Sequence, residues 1–294
     1  MFIAGIDGGG SHTRLEIRDM ENHPVRREEF GPFNINSIGP DAFRELLREV
    51  FAACGGLQDC ASLCLGGAGI SNPNMQRILG EELKDSDFRG ALKVCGDQEI
   101  ALRGAMNTPG VVLIAGTGSI CFGRNGAGET ARCGGFGHLI DDGGSGYALG
   151  RDMLSAAARA TDGRCDAPEI LAAVYQRLGA SIPGDIVTFV YDPATDKSAI
   201  AQFAGLALDL ARAGSREAIK ILERNAAELC DLVAAVQNRL NLHGCPIALL
   251  GGLLTSDNPY RHQAVCALSR LGTVITPAHD ALWGAAQMAW ENRP

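Results

Sequence analysis

The chain has 294 residues, of which 46% are hydrophobic, and a formal net charge of −8. This length and apolar content allow about two domains with buried cores. The negative average charge disfavours binding to nucleic acid, although backbone amides can still hold a small anion locally.

The first part of the chain predicts strands and helices in alternation after an antiparallel start. Three strands are expected at residues 2–6, 13–18 and 25–30, followed by a helix that Asp41 caps and that ends at Phe51. A short buried strand, a helix that opens on Asn72-Pro73 and a fifth strand come next, at residues 62–65, 72–83 and 91–95. This order indicates an α/β fold.

The second part repeats this theme around a helix-rich middle. Strands are predicted at residues 111–115, 120–123 and about 129–132, and helices fill residues 146–241, the longest of them at 215–240. A strand at 246–250, a helix at 258–268, an edge strand at 274–276 and a last helix at 280–290 follow. We place the domain border near Pro109-Gly110, which gives domains 1–110 and 111–294. We expect the last helix, about 280–292, to pack back toward the N-terminal domain.

Cysteine usage and the termini indicate the compartment. Ten cysteines occur without any Cys-x-x-Cys pair, and several lie in apolar runs, so buried reduced thiols are expected rather than zinc ligands. No basic segment precedes the first strand, and no apolar run reaches the ~20 residues that span a bilayer. We therefore expect a cytoplasmic protein that does not bind membranes.

A short pattern occurs twice, at residues 3–11 (IAGIDGGGS) and 114–119 (IAGTGS). Each copy is an apolar strand that runs into glycines and a hydroxyl residue, and a second apolar stretch follows. We predict two hairpins whose turns expose backbone N–H groups, and such turns could bind a phosphate chain. The first copy is neither a Walker A loop nor a dinucleotide motif, because it lacks Gly-Lys-Ser/Thr and leads into a strand. Taken alone, the glycine run favours a plain hairpin turn, and only the second copy adds weight to phosphate binding.

These segments, with others in the same order, resemble the actin, Hsp70 and sugar-kinase superfamily. The other segments are Asn34-Ile35, Gly96-Asp97, residues 133–138 (CGGFGH), residues 142–146 (DGGSG), residues 250–252 (LGG) and residues 280–285 (DALWGA). Within the superfamily the chain resembles the BadF/BadG/BcrA/BcrD ATPase group, in particular its kinases of N-acetylglucosamine or glucosamine. The resemblance extends from Ile3 to Ala289.

The resemblance implies two actin-like (ribonuclease H-like) α/β domains with a central nucleotide cleft that binds ATP and Mg²⁺. Asp7 would hold the metal through water. The residues implied to bind the nucleotide are Asp7, Gly8, Gly9, Gly10, Ser11, Gly116, Thr117, Gly118, Ser119, Ala204, Gly251 and Gly252. For Gly251-Gly252, close packing of a helix against a strand is the alternative explanation.

The resemblance also implies an amino-sugar acceptor whose 6-hydroxyl is phosphorylated. Asp97, at the end of a strand, would be the base that accepts the hydroxyl proton, and a helix N-cap is its alternative role. The residues implied to bind the sugar are Asn34, Asp97, Gly135, Phe136, Gly137 and Asp142. Many relatives have an acidic residue where this chain has Gly143, so the choice between the two sugars is open. The roles of His138 and Asp141 are open as well.

Three other functions compete with an amino-sugar kinase. The first is an ATP-driven iron–sulfur activator of a dehydratase or reductase, for which Cys121 and Cys133 are the available cysteines, although the expected Cys-Ala-Ala-Gly-Thr-Gly-like segment is missing. The second is a non-catalytic sugar sensor, and the third is a kinase of another small molecule. The family resemblance further implies a homodimer.

Overall fold

The computed structural model describes residues 1–294, apart from the side chains of residues 36 and 37. The chain forms two compact units: unit 1 comprises Met1–Thr108 and Pro277–Pro294, and unit 2 comprises Pro109–Thr276. Among the helices described, none combines the length and the apolar character that a membrane span requires.

Unit 1 is built on a mixed five-stranded sheet. Its strands are β1 (Phe2–Gly8), β2 (Thr13–Arg18), β3 (Pro24–Phe30), β4 (Cys60–Gly67) and β5 (Ala91–Gly96). The sheet order is β3-β2-β1-β4-β5, with β1 antiparallel to β2 and parallel to β4. The carboxyl ends of β1, β4 and β5 therefore lie at one edge of the sheet.

Four helices belong to unit 1. They are α1 (Ile35–Ala53), α2 (Pro73–Asp85), α3 (Asp97–Ala105) and α12, the last helix (Ala281–Glu291). The helix predicted up to Phe51 is confirmed, but its predicted cap at Asp41 is wrong, because α1 extends from Ile35 to Ala53 and is interrupted at Gly39, whose φ of 82° is not helical. Pro40 follows the interruption, where its missing N–H costs little.

Glycines let α12 approach the rest of unit 1 closely. A Cβ on Gly5 of β1 would lie 2.2 Å from the backbone N of Ala286, and one on Gly104 of α3 would lie 2.0 Å from Asp280 O. Only glycine fits at such distances. Helix α12 is thus part of the core of unit 1, with Ala285 and Ala289 fully buried.

Unit 2 contains a second mixed sheet with the same layout. Its strands are β6 (Gly110–Ala115), β7 (Ser119–Arg124), β8 (Thr130–Gly134), β9 (Gly244–Leu250) and β10 (Gly272–Ile275). The order is β10-β9-β6-β7-β8, with β6 antiparallel to β7 and parallel to β9. The hairpins β1–β2 and β6–β7 occupy equivalent places, so the two hairpins predicted from the repeat are confirmed.

The helices of unit 2 lie mostly between β8 and β9. They are α4 (Gly146–Thr161), α5 (Pro168–Leu178), α6 (Pro183–Tyr191), α7 (Lys197–Ala201), α8 (Ala204–Arg212), α9 (Arg216–Leu240), α10 (Gly252–Thr255) and α11 (Pro259–Leu268). Helix α9 buries an apolar stripe, in which Leu222, Leu229 and Val233 are inaccessible to solvent. The α/β class is confirmed by the two mixed sheets, and all ten cysteines are free thiols.

Candidate functional site

The turn between β1 and β2 presents backbone amides to solvent. The N–H of Gly9 donates to His12 O at 2.9 Å and closes the turn. Gly10 and Ser11 lie at its exposed tip, where their N–H groups donate no hydrogen bond within the described part of the chain. A Cβ on Gly10 would meet open space. The tip can therefore accept an anion without rearrangement.

Phe33 packs against this turn, and the next residue, Asn34, lies beside it. A Cβ on Gly8 would lie 2.5 Å from the Phe33 ring, and the N–H of Phe33 donates to Gly9 O at 2.9 Å. Phe33 is fully buried, whereas Asn34 is half-buried at the start of α1. Gly8 is thus required by packing, while Asn34 lies next to the first turn.

Asp7 is the carboxylate at the end of β1. It exposes 13% of its side chain, and Arg14 donates to its Oδ2 at 2.5 Å and 3.2 Å. Burial raises the pKa of Asp7 above its ordinary value, and the Arg14 guanidinium acts in the opposite direction. Oδ1 accepts no hydrogen bond among the described residues, so it can contact a hydrated cation.

Asp97 lies at the same edge of the sheet as Asp7. The register pairs Gly8 with Gly67 of β4, and Gly67 with Gly96 of β5, directly before Asp97. The N-cap of α3 is Gly96, and Glu99 Oε1 accepts from its N–H at 3.3 Å. Asp97 is therefore the first residue of the helix rather than its N-cap, and its Oδ1 accepts from Gln98 N at 3.0 Å. The N-cap alternative for Asp97 is wrong.

The second turn, between β6 and β7, is held against the start of α4. The N–H of Gly116 donates to Gly118 O at 2.9 Å, and the N–H of Gly146 donates to Gly116 O at 2.8 Å. Thr117 is exposed at the tip. The hydroxyl of Ser119 is buried and donates to Gly143 O at 2.6 Å, so this hydroxyl stabilises the fold by joining the turn to the loop at Gly143.

Asp142 is buried against this second turn. It is 5% exposed, has a φ of 63°, and its Oδ1 accepts from Ser119 N at 3.3 Å. Both of its carboxylate oxygens lie 3.1 Å from the position that a Cβ on Gly118 would take. The structure therefore joins the predicted sugar-binding loop of unit 2 to the predicted phosphate turn of the same unit.

The loop before Asp142 has an unusual backbone. Gly134, Gly135 and Gly137 all have positive φ, which glycine adopts without strain. Phe136 is 68% exposed, and its N–H donates to Asp141 Oδ2 at 3.0 Å. Asp141 thus stabilises the loop that presents Phe136.

His138 and Gly143, which lie next to this loop, are half-buried, and each lies against one neighbouring side chain. The ring of His138 packs edge-to-face on Tyr147, with ring centroids 4.8 Å apart. Gly143 lies against Glu228 of α9, where a Cβ would be 2.8 Å from Glu228 Oε2. An acidic side chain at position 143 would thus collide with another carboxylate unless Glu228 moved.

A cavity of about 390 Å³ in unit 2 brings together four residues predicted to bind nucleotide. The predicted residues in its lining are Gly116, Thr117, Ala204 and Gly252. Ser198 and Gln202 also line it, and sequence analysis missed both, because the short α7 carries no motif. The cavity opens at the carboxyl ends of β6 and β9, where α/β sheets commonly bind ligands.

The two adjacent glycines at the end of β9 have different roles. Gly251 has a φ of 85°, and a Cβ there would lie 2.3 Å from Ala115 O, so close packing requires this glycine. A Cβ on Gly252 would meet open space, on the side of the cavity. The packing alternative therefore explains Gly251 but not Gly252.

Two side chains that no sequence motif indicated hold the loop at residues 141–145. Asn225 of α9 is 3% exposed, accepts from Gly144 N at 3.2 Å and donates to Asp152 Oδ2 at 2.9 Å. The hydroxyl of Tyr260 donates to Gly144 O at 2.7 Å. The available signal was the polar Asn225 in the apolar stripe of a long helix, since a buried amide needs partners.

Comparisons with known proteins agree along nearly the whole chain. The model of the BadF/BadG/BcrA/BcrD ATPase family matches residues 4–289. The N-acetylmuramic acid/N-acetylglucosamine kinase of Clostridium acetobutylicum is 32% identical, and the alignment covers 98% of both chains. The N-acetyl-D-glucosamine kinase of Dictyostelium discoideum is 28% identical, over 86% of this chain and 85% of that protein.

A solved structure shows the same fold. It is of a protein from Chromobacterium violaceum named as a candidate N-acetylglucosamine kinase, and it superposes with a TM-score of 0.75. The two proteins are 24% identical, and the match covers 98% of each chain. The predicted actin-like sugar-kinase fold is thereby confirmed.

Proposed function

Because the chain belongs to the BadF/BadG/BcrA/BcrD ATPase family, we propose that it is an ATP-dependent kinase of an amino sugar. The acceptor is N-acetylglucosamine or glucosamine, and the 6-hydroxyl receives the γ-phosphate. One observation carries this proposal: each unit places a glycine turn with unused amides at the same point of an equivalent sheet. The named activities of the two curated relatives support it.

The nucleotide is assigned to the two turns and to the cavity of unit 2. In unit 1, the amides at Gly10 and Ser11 would donate to phosphate oxygens, while Gly8 and Gly9 shape the turn. In unit 2, the tip at Thr117 would do the same. The cavity wall at Ala204 and Gly252 would receive the adenosine. The backbone contacts described above would support this arrangement at four further residues: Gly116, Gly118, Ser119 and Gly251.

Asp7 would hold a hydrated Mg²⁺ through its unused Oδ1. A carboxylate oxygen is a ligand that Mg²⁺ accepts, and this ion usually keeps several of its waters. When bound, the ion neutralises charge on the phosphates. Arg14 keeps the other oxygen of Asp7 in place, so the carboxylate is oriented before any ligand arrives.

Asp97 is the proposed general base. A neutral alcohol is a weak nucleophile toward phosphorus, and a carboxylate within hydrogen-bond reach can accept its proton as the bond to phosphorus forms. Asp97 lies at the carboxyl edge of the sheet, as such a role requires.

The proposed sugar-binding groups differ in chemistry between unit 1 and unit 2. Asn34 and Asp97 of unit 1 would bind sugar hydroxyls, as amide and carboxylate groups do. In unit 2 the glycine-rich loop would supply backbone groups at Gly135 and Gly137, and Phe136 an apolar surface. Asp142 would orient the sugar through the oxygen that does not accept from Ser119 N.

Substitution of the proposed base tests this function. We expect Asp97→Asn to lower kcat by about 10²–10⁴-fold, because the proton acceptor is lost while the amide keeps the shape of the side chain. Sugar binding, measured by calorimetry, should survive. Asp87→Asn is the matched control, since Asp87 is an exposed carboxylate outside the site. A turnover close to that of the unmodified protein would contradict the assignment.

A panel of acceptors identifies the sugar. Coupled ADP release would be measured with glucosamine, N-acetylglucosamine, N-acetylmannosamine and glucose. We expect turnover with one of the first two. The absence of turnover with all four would count against a sugar kinase.

The structure disfavours the iron–sulfur alternative. Cys121 and Cys133 are cross-strand partners on β7 and β8, but Cys121 is completely buried. A cluster has to contact each ligating sulfur, and Cys121 lies inside the hydrophobic core of unit 2, away from its surface. The homodimer and the cytoplasmic location stay predictions, and gel filtration with light scattering would test the first.

A further inference from the structure

A second cavity of unit 2, of about 510 Å³, lies between α4, α9 and the loop that joins α4 to α5. None of the residues assigned above to ATP, metal or sugar lines it. Five of its lining side chains are cationic: Arg159, Arg164, Arg216, Lys220 and Arg224.

This concentration of positive charge stands out in a chain whose net charge is −8. Three carboxylates also line the cavity: Asp152, Asp166 and Glu217. Two of them already have partners, because Asp152 accepts from Asn225 at 2.9 Å and Glu217 lies 3.3 Å from Lys220 and 3.9 Å from Arg224. The cations therefore exceed the carboxylates in number, and a local positive potential remains.

Two of the guanidinium groups are available for a ligand. Arg164 pairs with Asp162 at 2.7 Å, whereas Arg159 and Arg216 form no side-chain hydrogen bond or salt bridge with any residue that the structure describes. Arg216 is the first residue of α9, a helix of 25 residues whose N-terminus adds a partial positive charge. Both groups line the same concave surface from different helices.

We propose that this cavity binds a small molecule that carries a phosphate monoester. Arg159 and Arg216 would make charge-assisted hydrogen bonds to the phosphate oxygens, since a planar guanidinium matches phosphate geometry. Lys220 and Arg224 would add charge from the next turns of α9. The volume is that of a small-molecule site, and the negative charge of the whole chain disfavours a nucleic acid. Arg159 and Arg216 are not among the residues proposed for the kinase reaction, whereas Asp152 and Arg224 also line a neighbouring cavity with His138, Asp141 and Gly143.

Calorimetric titration tests the proposal with two probes, glucose 6-phosphate and inorganic phosphate. A non-hydrolysable ATP analogue is present at saturation, so that the nucleotide turns are occupied. We expect one molecule of glucose 6-phosphate per chain and an affinity that falls as salt is added. In Arg159→Ala/Arg216→Ala, binding should weaken by about tenfold or more for each guanidinium lost.

The matched control is Arg212→Ala, because Arg212 is an exposed arginine on α8 that pairs with Asp209 outside the cavity. It should bind the probe like the unmodified protein, and both variants should keep their kinase turnover. Equal affinity in the double variant, or no binding of glucose 6-phosphate, would overturn the proposal. Binding of inorganic phosphate alone would overturn the assignment to a monoester. Because turnover is measured separately, failure of the proposed kinase would be recognised independently.

Discussion

Replacement of Arg14 by glutamine should leave a buried carboxylate without its partner. Asp7 is 13% exposed and receives both of its side-chain hydrogen bonds from Arg14. Arg14 also donates to Asp280 Oδ2 at 3.0 Å, while Asp280 Oδ1 caps α12 by accepting from Trp283 N. The substitution therefore removes a largely buried ion pair and a more exposed one.

The expected size of the effect follows from the exposure of the two groups. Breaking a fully buried ion pair from one side costs about 3–5 kcal/mol, whereas an exposed pair contributes about 0–1 kcal/mol. Arg14 exposes 36% of its side chain, so water screens part of the interaction with Asp7. We expect Arg14→Gln to lower the free energy of unfolding of unit 1 by about 2 kcal/mol near neutral pH.

The pH dependence distinguishes an electrostatic cause from a loss of packing. Burial raises the pKa of Asp7 in the folded state, and Arg14 opposes this rise. Between the unfolded and folded pKa values the folded state binds more protons, so stability falls as pH rises through this window. Loss of Arg14 raises the Asp7 pKa further and widens the window. The deficit of the variant should therefore shrink as pH falls.

Urea unfolding followed by tryptophan fluorescence reports this change in unit 1, because Trp283 and Trp290 are the only tryptophans and both lie in α12. The variant is compared with the unmodified protein at about pH 5 and about pH 8. Arg212→Gln controls for loss of an exposed pair, and Asp7→Asn provides a background without the charge. An equal deficit at both pH values and in the Asp7→Asn background would refute the reasoning.

Three further substitutions test unit 2 by urea unfolding, followed by circular dichroism. Gly251→Ala should cost about 2–4 kcal/mol, since the new methyl group would meet Ala115 O at a φ that disfavours alanine. Gly252→Ala, into open space, should change stability by less than about 1 kcal/mol, and equal effects would contradict the assignment of Gly251 to packing. Asn225→Ala removes three hydrogen bonds and should cost about 2–3 kcal/mol. Amide exchange at Gly144 should become faster, and unchanged exchange would mean that other contacts suffice to hold the loop.

The sequence alone determined most of the local structure. Asn72, Ser215, Asn258 and Asp280 were expected at the starts of helices, and each accepts a backbone N–H as an N-cap. Capping and hydrophobic periodicity depend on residues within a few positions of each other, so they can be read along the chain. The first helix shows the limit, because α1 begins at Ile35, before the cap expected at Asp41, and is interrupted at Gly39.

The family and the repeat of the hairpins were also evident from the sequence. The two copies of the repeat and six other short segments in a fixed order carried the resemblance, and the family match over residues 4–289 confirms it. The sequence did not show which glycines are required by close packing and which face open space. Gly8 and Gly251 are required by Phe33 and Ala115, whereas Gly10 and Gly252 face open space.

Only the tertiary structure decided which distant side chains meet. Arg14 reaches Asp280 across 266 positions, Asn225 holds Gly144 across 81, and Glu228 lies where a side chain on residue 143 would point. The basic cavity likewise joins Arg159 of α4 to Arg216 of α9. Local propensities set where helices and strands begin and end, but these pairings follow from how the elements pack. Packing is decided by the shape and burial of whole faces, which no single segment of the chain contains.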